Sequence, residues 1–179
     1  ESLDVLSGGG PADVVDLTYS LAADMLLLAG VDTDRDAALA RLTKAVNSGA
    51  ALEKFQEVIV AQDGDPNVAT DRSLLPVAPN RYELLAPDGG VVTKCDARDI
   101  GVAGVRLGAG RERKEDEVDP GVAISVLAKI GDAVAKGQPL ATIAYRDENR
   151  LQAALPLLER AWQVGESADK PERFIGHVE

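Results

Sequence analysis

The sequence predicts an α+β protein in two parts, a helical segment over residues 1–80 and a mixed domain over residues 81–179. In the first part, apolar residues recur at steps of three and four, the spacing of one face of a helix. From residue 81 onward, short alternating runs lie between glycine and proline turns, a pattern typical of strands. Pro66, Pro76 and Pro79 indicate a connecting segment between the two parts.

Three helices are predicted in the first part, each with an apolar stripe that should be core. The first begins at Pro11 and is ended by Gly30. The second is capped by Thr33 or Asp34 and ended by Gly49, and the third begins at Ala50 and is closed by the turn Gly64–Pro66. The stripes are Val14, Leu17, Leu21, Met25 and Leu28; Leu39, Leu42 and Val46; and Leu52, Phe55 and Ile59. The first stripe is expected to lack part of its cover and to favour association of the chain.

The second part alternates strands with turns and two helices. Strands are predicted at residues 82–86, 91–95, 122–129 and 139–145, with turns at Pro87–Gly90, Gly131–Asp132 and Lys136–Gln138 and with Val134 pointing inward. Asp96 should cap a helix over residues 97–107, and Asp147 a last helix with Leu151, Leu155, Leu158 and Trp162 on one face. Pro156 should kink or split that helix, and residues 166–179 form a polar tail.

The composition excludes several classes of protein. The 179 residues carry a net charge of −11, which disfavours a nucleic-acid partner, and no run of about 18 apolar residues could cross a membrane. A single cysteine, Cys95, allows no internal disulfide and fits a cytoplasmic location. The single histidine, His177, lies near the C-terminus. Catalytic triads need a histidine, and zinc sites need several His or Cys ligands, so both kinds of site are disfavoured. Because the chain begins at Glu1 and not at Met, it is expected to be a piece of a longer protein.

The loop over residues 108–119 is the strongest local candidate for a site. Gly108 and Gly110 would let backbone amides approach an anion, and Arg111, Arg113 and Lys114 would add positive charge. The opposing interpretation is a structural loop held by salt bridges, because five acidic residues lie in the same stretch: Glu112, Glu115, Asp116, Glu117 and Asp119. The residue chemistry favours the structural interpretation, because the spacing of a P-loop is missing.

A second motif runs from Ile130 to Ile143 and resembles the second half of the barrel-sandwich in biotinyl and lipoyl carrier domains. Such carriers present a modified lysine in an exposed hairpin, and this sequence has no such hairpin. Lys94, Lys114 and Lys129 are better interpreted as surface lysines. A carrier domain, or a non-catalytic interaction domain, is therefore the alternative interpretation.

Taken in order, the chain resembles the C-terminal part of the thymidine and pyrimidine-nucleoside phosphorylases. The resemblance covers nearly all of residues 1–165, and the Gly-Ala-Gly-Arg…Lys-Glu-Asp…Asp run is distinctive of that family. The matching stretches are Gly10–Asp13 with the helix through Leu26, Asn47–Phe55, Ala61–Pro66, Leu107–Arg111 with Lys114–Asp116 and Asp119, and Gly131–Leu140. The motif residues are Gly108, Gly110, Arg111, Lys114, Asp116, Asp119, Gly131 and Asp132.

The resemblance implies a pentosyltransferase that cleaves pyrimidine nucleosides by phosphate attack, giving the free base and a sugar 1-phosphate. It implies that residues 1–80 belong to a large α/β lobe. Residues 81–179 would form a hammerhead-like C-terminal domain with a barrel-sandwich β core. It also implies a cytoplasmic homodimer that acts on a nucleoside and phosphate, with no cofactor, no nucleic acid and no membrane.

The resemblance carries no catalytic or substrate-binding residue into these 179 residues, because the family's phosphate loop and pyrimidine-holding residues precede them. The chain by itself is therefore expected to be inactive. The residues that would discriminate thymidine from uridine also lie upstream. One metal ligand can be carried over, since the glutamate that binds a structural monovalent cation in some family members falls on Glu1. Its partner ligands are missing, so a frayed chain end is the simpler interpretation of Glu1.

Overall fold

The computed structural model describes residues 1–111, 113–172 and 176, so the predicted site candidate His177 lies outside the described residues. The chain divides into two compact units, one formed mainly by residues 1–74 and the other by residues 75–171. The sequence places the boundary at residue 80, a few residues later. Each unit is described separately below.

The first unit contains four helices followed by two short 3-10 turns. The helices are α1 (Ser2–Leu6), α2 (Ala12–Leu28), α3 (Arg35–Asn47) and α4 (Ala50–Ala61), and the turns are Pro66–Ala69 and Arg72–Leu74. Asp34 caps α3 by accepting a hydrogen bond from the backbone N–H of Ala37 at 2.8 Å. Gly30 follows α2 with a φ of +65°, as expected for a helix-ending glycine.

The apolar stripe of α2 is exposed among the described residues, so the expectation that it forms core is wrong here, whereas the expectation that it lacks part of its cover is confirmed. Leu21, Met25 and Leu28 are 54%, 69% and 73% exposed, while the buried residues of α2 are Ser20 and Ala23. The small side chains of Ser20 and Ala23 therefore make the contact of α2 inside its unit. The apolar periodicity identifies a different face of α2, which the described residues do not cover. Association through this face remains a prediction.

Arg35 ties α3 to α2 by polar contacts. Its guanidinium pairs with the Asp24 carboxylate and donates a hydrogen bond to the Ser20 hydroxyl at 2.7 Å. The pair is largely shielded, with the Arg35 and Asp24 side chains 27% and 18% exposed. Such a partly buried, hydrogen-bonded pair helps to fix the mutual position of the two helices.

The second unit is α+β and contains two three-stranded antiparallel sheets. Its elements are β1 (Asn80–Leu85), β2 (Gly90–Cys95), α5 (Ala97–Gly104), β3 (Ala123–Val126), β4 (Ala133–Val134), β5 (Pro139–Tyr145), α6 (Glu148–Ala161) and β6 (Trp162–Gly165). One sheet has the order β1-β5-β3 and the other the order β4-β2-β6. The described residues form no closed barrel, so the α+β class is confirmed while the hammerhead and barrel-sandwich descriptions stay predictions.

The core of the second unit is shared by both sheets and both helices. Its largest fully buried side chains are Leu140, Ile143, Leu151, Leu158 and Val92. Val134 is 6% exposed, as the inward position predicted for it requires. Asp96 and Asp147 cap α5 and α6 by accepting backbone N–H hydrogen bonds, as predicted.

Three details of the second unit differ from the sequence-based predictions. The predicted helix over 97–107 ends at Gly104 and continues as one wider turn over Val105–Ala109. Pro156 does not split α6, which remains one helix from Glu148 to Ala161, and the alternative effect, a kink, stays a prediction. Trp162 leaves the helical stripe and begins β6, where it pairs with Cys95, because the chain turns there to extend the β2 sheet.

In the part of the chain that the structure describes, no helix is long and apolar enough to cross a membrane.

Candidate functional site

The charged loop over residues 109–118 is closed at its base by Gly108 and Asp119. The backbone N–H of Asp119 donates to the Gly108 carbonyl at 2.8 Å. Gly108 is buried and has a φ of +109°, and a Cβ there would lie 2.5 Å from Nη1 of Arg150. The positive φ favours a glycine at this position, in the wider turn that follows α5, where the Arg150 guanidinium lies over the backbone.

Asp119 holds the C-terminal end of this loop with its side chain. One carboxylate oxygen accepts a hydrogen bond from Nε of Arg146 at 2.7 Å, and the other accepts one from the backbone N–H of Gly121 at 2.9 Å. The hydrogen bond from Arg146, followed by that from Gly121, holds the pKa of Asp119 below its usual value of 3.8. Asp119 thus links the loop to the segment between β5 and α6.

Within the loop, Asp116 forms a local turn. Its carboxylate accepts a hydrogen bond from the backbone N–H of Arg113 at 2.8 Å. Arg111, Arg113 and Lys114 are exposed, and none of them forms an ion pair with another described residue. Among the described residues, the ion pair of the loop joins Asp119 to Arg146, outside the loop, which agrees with a structural loop held by salt bridges.

A cleft of about 630 Å³ lies beside this loop. Its walls are formed by the wider turn after α5, the loop and the first turns of α6. The residues that line it are Val105, Arg106, Gly110, Arg113, Asp116, Glu117, Asp147, Asn149, Arg150 and Ala153. Of the predicted motif residues, only Gly110 and Asp116 line the cleft, while Arg106, Asn149 and Arg150 were not predicted. The one sequence signal for Arg150 is its position three residues after the helix cap Asp147.

The other two motif residues form a separate turn. Gly131, with a φ of +86°, donates its N–H to the Val92 carbonyl at 2.9 Å, and Val92 donates to the Asp132 carbonyl at 2.9 Å. The Asp132 carboxylate accepts hydrogen bonds from Nζ of Lys170 at 2.7 Å and from the backbone N–H of Lys129 at 2.9 Å. These hydrogen bonds, led by that from Lys170, lower the pKa of Asp132. Gly131 and Asp132 therefore anchor β2 and do not line the cleft.

The remaining candidates do not form a chemical site. The exposed Glu1 precedes α1, and in the described chain no three His, Cys, Asp or Glu residues are grouped to hold a metal ion. The cation site that the resemblance implies at Glu1 stays a prediction. Burial raises the pKa of the Cys95 thiol, which disfavours a thiolate.

Lys94, one of the lysines considered for a carrier domain, lies in β2 near Asp96 and Asp99, at 3.5 and 3.9 Å. Strand β5 runs directly into α6 without a carrier-type hairpin.

The Asp119 contact leads to a prediction about acid stability. A carboxyl group whose pKa is lowered by folding stabilises the protein above pH 3.8, and that contribution is lost as pH falls through the lowered pKa. Asp119→Asn should therefore lose less stability than the wild type between about pH 6 and about pH 3. Urea unfolding followed by Trp162 fluorescence measures this difference.

Asp88→Asn is the matched control, because the Asp88 carboxylate is 78% exposed and meets only Lys136, at 3.5 Å, among described ion pairs. Exposed pairs of this kind contribute little. This variant should respond to acid as the wild type does. An identical response of the Asp119→Asn and Asp88→Asn variants would contradict the role given to the Arg146 contact.

Comparison with known proteins assigns the chain to a family. The model of the pyrimidine nucleoside phosphorylase C-terminal domain matches residues 91–165. Pyrimidine-nucleoside phosphorylase of Bacillus subtilis is 42% identical over 149 residues, which are 83% of this chain and 34% of that protein. The Staphylococcus haemolyticus enzyme is 37% identical over 171 residues, 96% of this chain and 39% of its own length.

The Staphylococcus aureus (strain USA300) pyrimidine-nucleoside phosphorylase is 44% identical over 143 residues, 80% of this chain and 33% of that protein. The chain thus spans between a third and two fifths of the length of these curated relatives. The family model covers the loop, the cleft and the strands of the second unit from β2 to β6, apart from Gly90, but not β1. On this evidence, the chain belongs to the pyrimidine-nucleoside phosphorylases and corresponds to their C-terminal part.

Proposed function

We propose that the chain is the C-terminal, structural part of an enzyme that cleaves pyrimidine nucleosides by phosphate attack, releasing the base and a sugar 1-phosphate. The observation that carries this proposal is the continuous similarity to pyrimidine-nucleoside phosphorylases at 37–44% identity. Both helices of the second unit and its strands from β2 to β6, apart from Gly90, fall inside the family match, while β1 precedes it. Thymidine, uridine or both are the substrates of this proposal.

The chemistry of phosphorolysis explains why we assign this chain a supporting role. The reaction needs donors that hold phosphate, polar groups at the base carbonyl, and stabilisation of an oxocarbenium-like sugar. The described residues include polar clusters that hold the fold, such as Asp119 with Arg146, and the resemblance places the family's phosphate loop and pyrimidine-holding residues upstream of this chain. We therefore propose that the 179 residues alone do not turn over nucleosides.

The same proposal includes a homodimeric, cytoplasmic parent enzyme that needs phosphate as co-substrate and no cofactor. These properties are taken from the family resemblance alone. The exposed stripe of α2 is compatible with burial in a larger assembly, because apolar patches of this kind are usually covered.

A chimaera tests the proposal. The N-terminal portion of the Bacillus subtilis relative, up to the point where the similarity begins, is fused to the 179 residues, and thymidine and uridine phosphorolysis are measured by base release. The chimaera should release base in a phosphate-dependent reaction, whereas the N-terminal portion alone and the 179-residue chain alone should not.

Two results would contradict the proposal. A folded chimaera without phosphate-dependent base release would remove the assignment of function. Enzymatic base release by the 179 residues alone would remove the assignment of a purely structural role.

A further inference from the structure

We infer that the cleft between the charged loop and α6 binds a phosphate monoester, specifically a sugar phosphate. The cleft has a volume of about 630 Å³, enough for a ligand of that size, and it lies entirely within the second unit. The inference does not depend on the proposed phosphorolysis, because it rests on the groups that line this cleft.

Three arginines line the cleft, and none of them forms an ion pair with a described carboxylate, although the charge of Arg150 helps to lower the pKa of Asp119. The described arginines that form ion pairs lie elsewhere and are Arg35, Arg41, Arg72, Arg146 and Arg160. Arg106, Arg113 and Arg150 form no ion pair with any described residue. A guanidinium presents a planar fork of donors that matches phosphate oxygens, so three unpaired guanidiniums around one cleft favour a phosphate group.

Two contacts place these guanidiniums at the walls of the cleft. Nη1 of Arg106 donates to the Ala153 carbonyl at 3.4 Å, which brings it to the side of α6. Nη1 of Arg150 lies over Gly108, so close that a Cβ at Gly108 would be 2.5 Å away. Arg106 thus approaches from the wider turn after α5 and Arg150 from α6, while Arg113 lies in the loop.

The carboxylates of the cleft do not cancel this positive charge by direct pairing. Asp116 accepts the backbone N–H of Arg113 at 2.8 Å, and Asp147 accepts the backbone N–H of Arg150 at 3.0 Å. Both acids are therefore turned toward peptide groups that they cap. Glu117 is exposed and is the third acid of the cleft.

The remaining lining groups select a sugar phosphate over bare phosphate. The Asn149 amide and the Glu117 carboxylate offer an acceptor and donor set suited to hydroxyl groups. Val105 and Ala153 provide a small apolar wall, against which a sugar ring can pack. A ligand with one dianionic end and one hydroxylated end uses both halves of this lining, whereas inorganic phosphate uses one.

Amide NMR of the complete 179-residue chain tests the inference. The chain is titrated separately with inorganic phosphate, with ribose 5-phosphate and with ribose. Ribose 5-phosphate should shift amide signals from residues 105–117 and 147–153, and it should bind about tenfold more tightly than phosphate, with ribose showing no binding. Shifts that are absent or spread over the whole chain would overturn the site. Equal affinity for phosphate and ribose 5-phosphate would overturn the assignment of a sugar phosphate.

Variants of two exposed arginines assign the binding to the cleft. Arg106→Gln with Arg150→Gln should weaken ribose 5-phosphate binding at least about tenfold, because two charge-assisted contacts are removed. Arg98→Gln, an exposed arginine of α5 outside the cleft, should leave the affinity unchanged. Equal weakening by the control would show general electrostatic attraction and overturn the site. If the double variant does not fold, Arg106→Gln alone gives the same comparison.

Discussion

Leu158→Ala should lower the free energy of unfolding of the second unit by about 3 kcal/mol. Leu158 is 0% exposed in α6 and lies in the core cluster formed by both sheets and both helices. Truncation removes apolar contacts and leaves a cavity that close packing cannot fill. Urea unfolding measures the change, with the only tryptophan, Trp162, as fluorescent reporter. Trp162 is suited to this use because it is 5% exposed and its indole N–H donates to the Ala128 carbonyl at 2.9 Å.

Leu127→Ala provides the matched control for the same chemical change. Leu127 belongs to the second unit but is 55% exposed, so its truncation should cost less than about 0.5 kcal/mol. Similar losses for Leu158→Ala and Leu127→Ala would show that α6 is not packed as the structure places it.

Local signals in the sequence were sufficient for the helix starts and for several strands. Asp34, Asp96 and Asp147 each cap the helix predicted for them, because a cap requires only a short acceptor side chain and the next few backbone N–H groups. Strand β5 runs from Pro139 to Tyr145 as predicted, since its turn and its apolar run are contiguous in sequence.

The errors arise where long-range contacts override the local pattern. Trp162 continues the apolar spacing of α6, yet the chain leaves the helix there because Trp162–Gly165 pairs with β2, more than 60 residues earlier. The stripe on α2 has helical spacing, but spacing does not reveal whether a face is covered within the same chain. Periodicity identifies an apolar face, and only the tertiary structure shows what lies against it.

The candidate site divides in the same way between local and distant information. Gly108 and Asp119 were recognised as motif residues, and the structure gives them a shared hydrogen bond that closes the loop. Their partners Arg146 and Arg150 follow β5, at least 27 residues further along the chain, and no local pattern joins them to the loop. The cleft therefore could not be predicted from local sequence, because it forms only where the fold places the first turns of α6 beside residues 105–117.

Gly90→Ala should destabilise the second unit by about 2–3 kcal/mol. A Cβ on Gly90, the first residue of β2, would lie 2.4 Å from the carbonyl oxygen of Gly165 and 2.9 Å from Cγ1 of Val164. The nearer atom belongs to the backbone of β6, which is held in register by the pairing of Val91 with Gly165. Relief therefore requires β6 to move away from β2, which a side-chain rotation cannot achieve. Urea unfolding followed by Trp162, which lies in β6 itself, reports the loss.

Gly137→Ala separates this steric effect from the general cost of replacing a glycine. Gly137 has a φ of +78° in the turn between β4 and β5, and a Cβ there would meet no atom within 4 Å. Its replacement should cost about 1 kcal/mol, the backbone penalty alone. The Gly90→Ala variant should also shift the Trp162 emission of the native state, because β6 is displaced, whereas Gly137→Ala should not. If the two variants are equally destabilised and the native emission is unchanged in both, then β6 accommodates a Cβ at position 90 without additional loss of stability. The close approach of these two backbones would then not be what requires glycine at position 90.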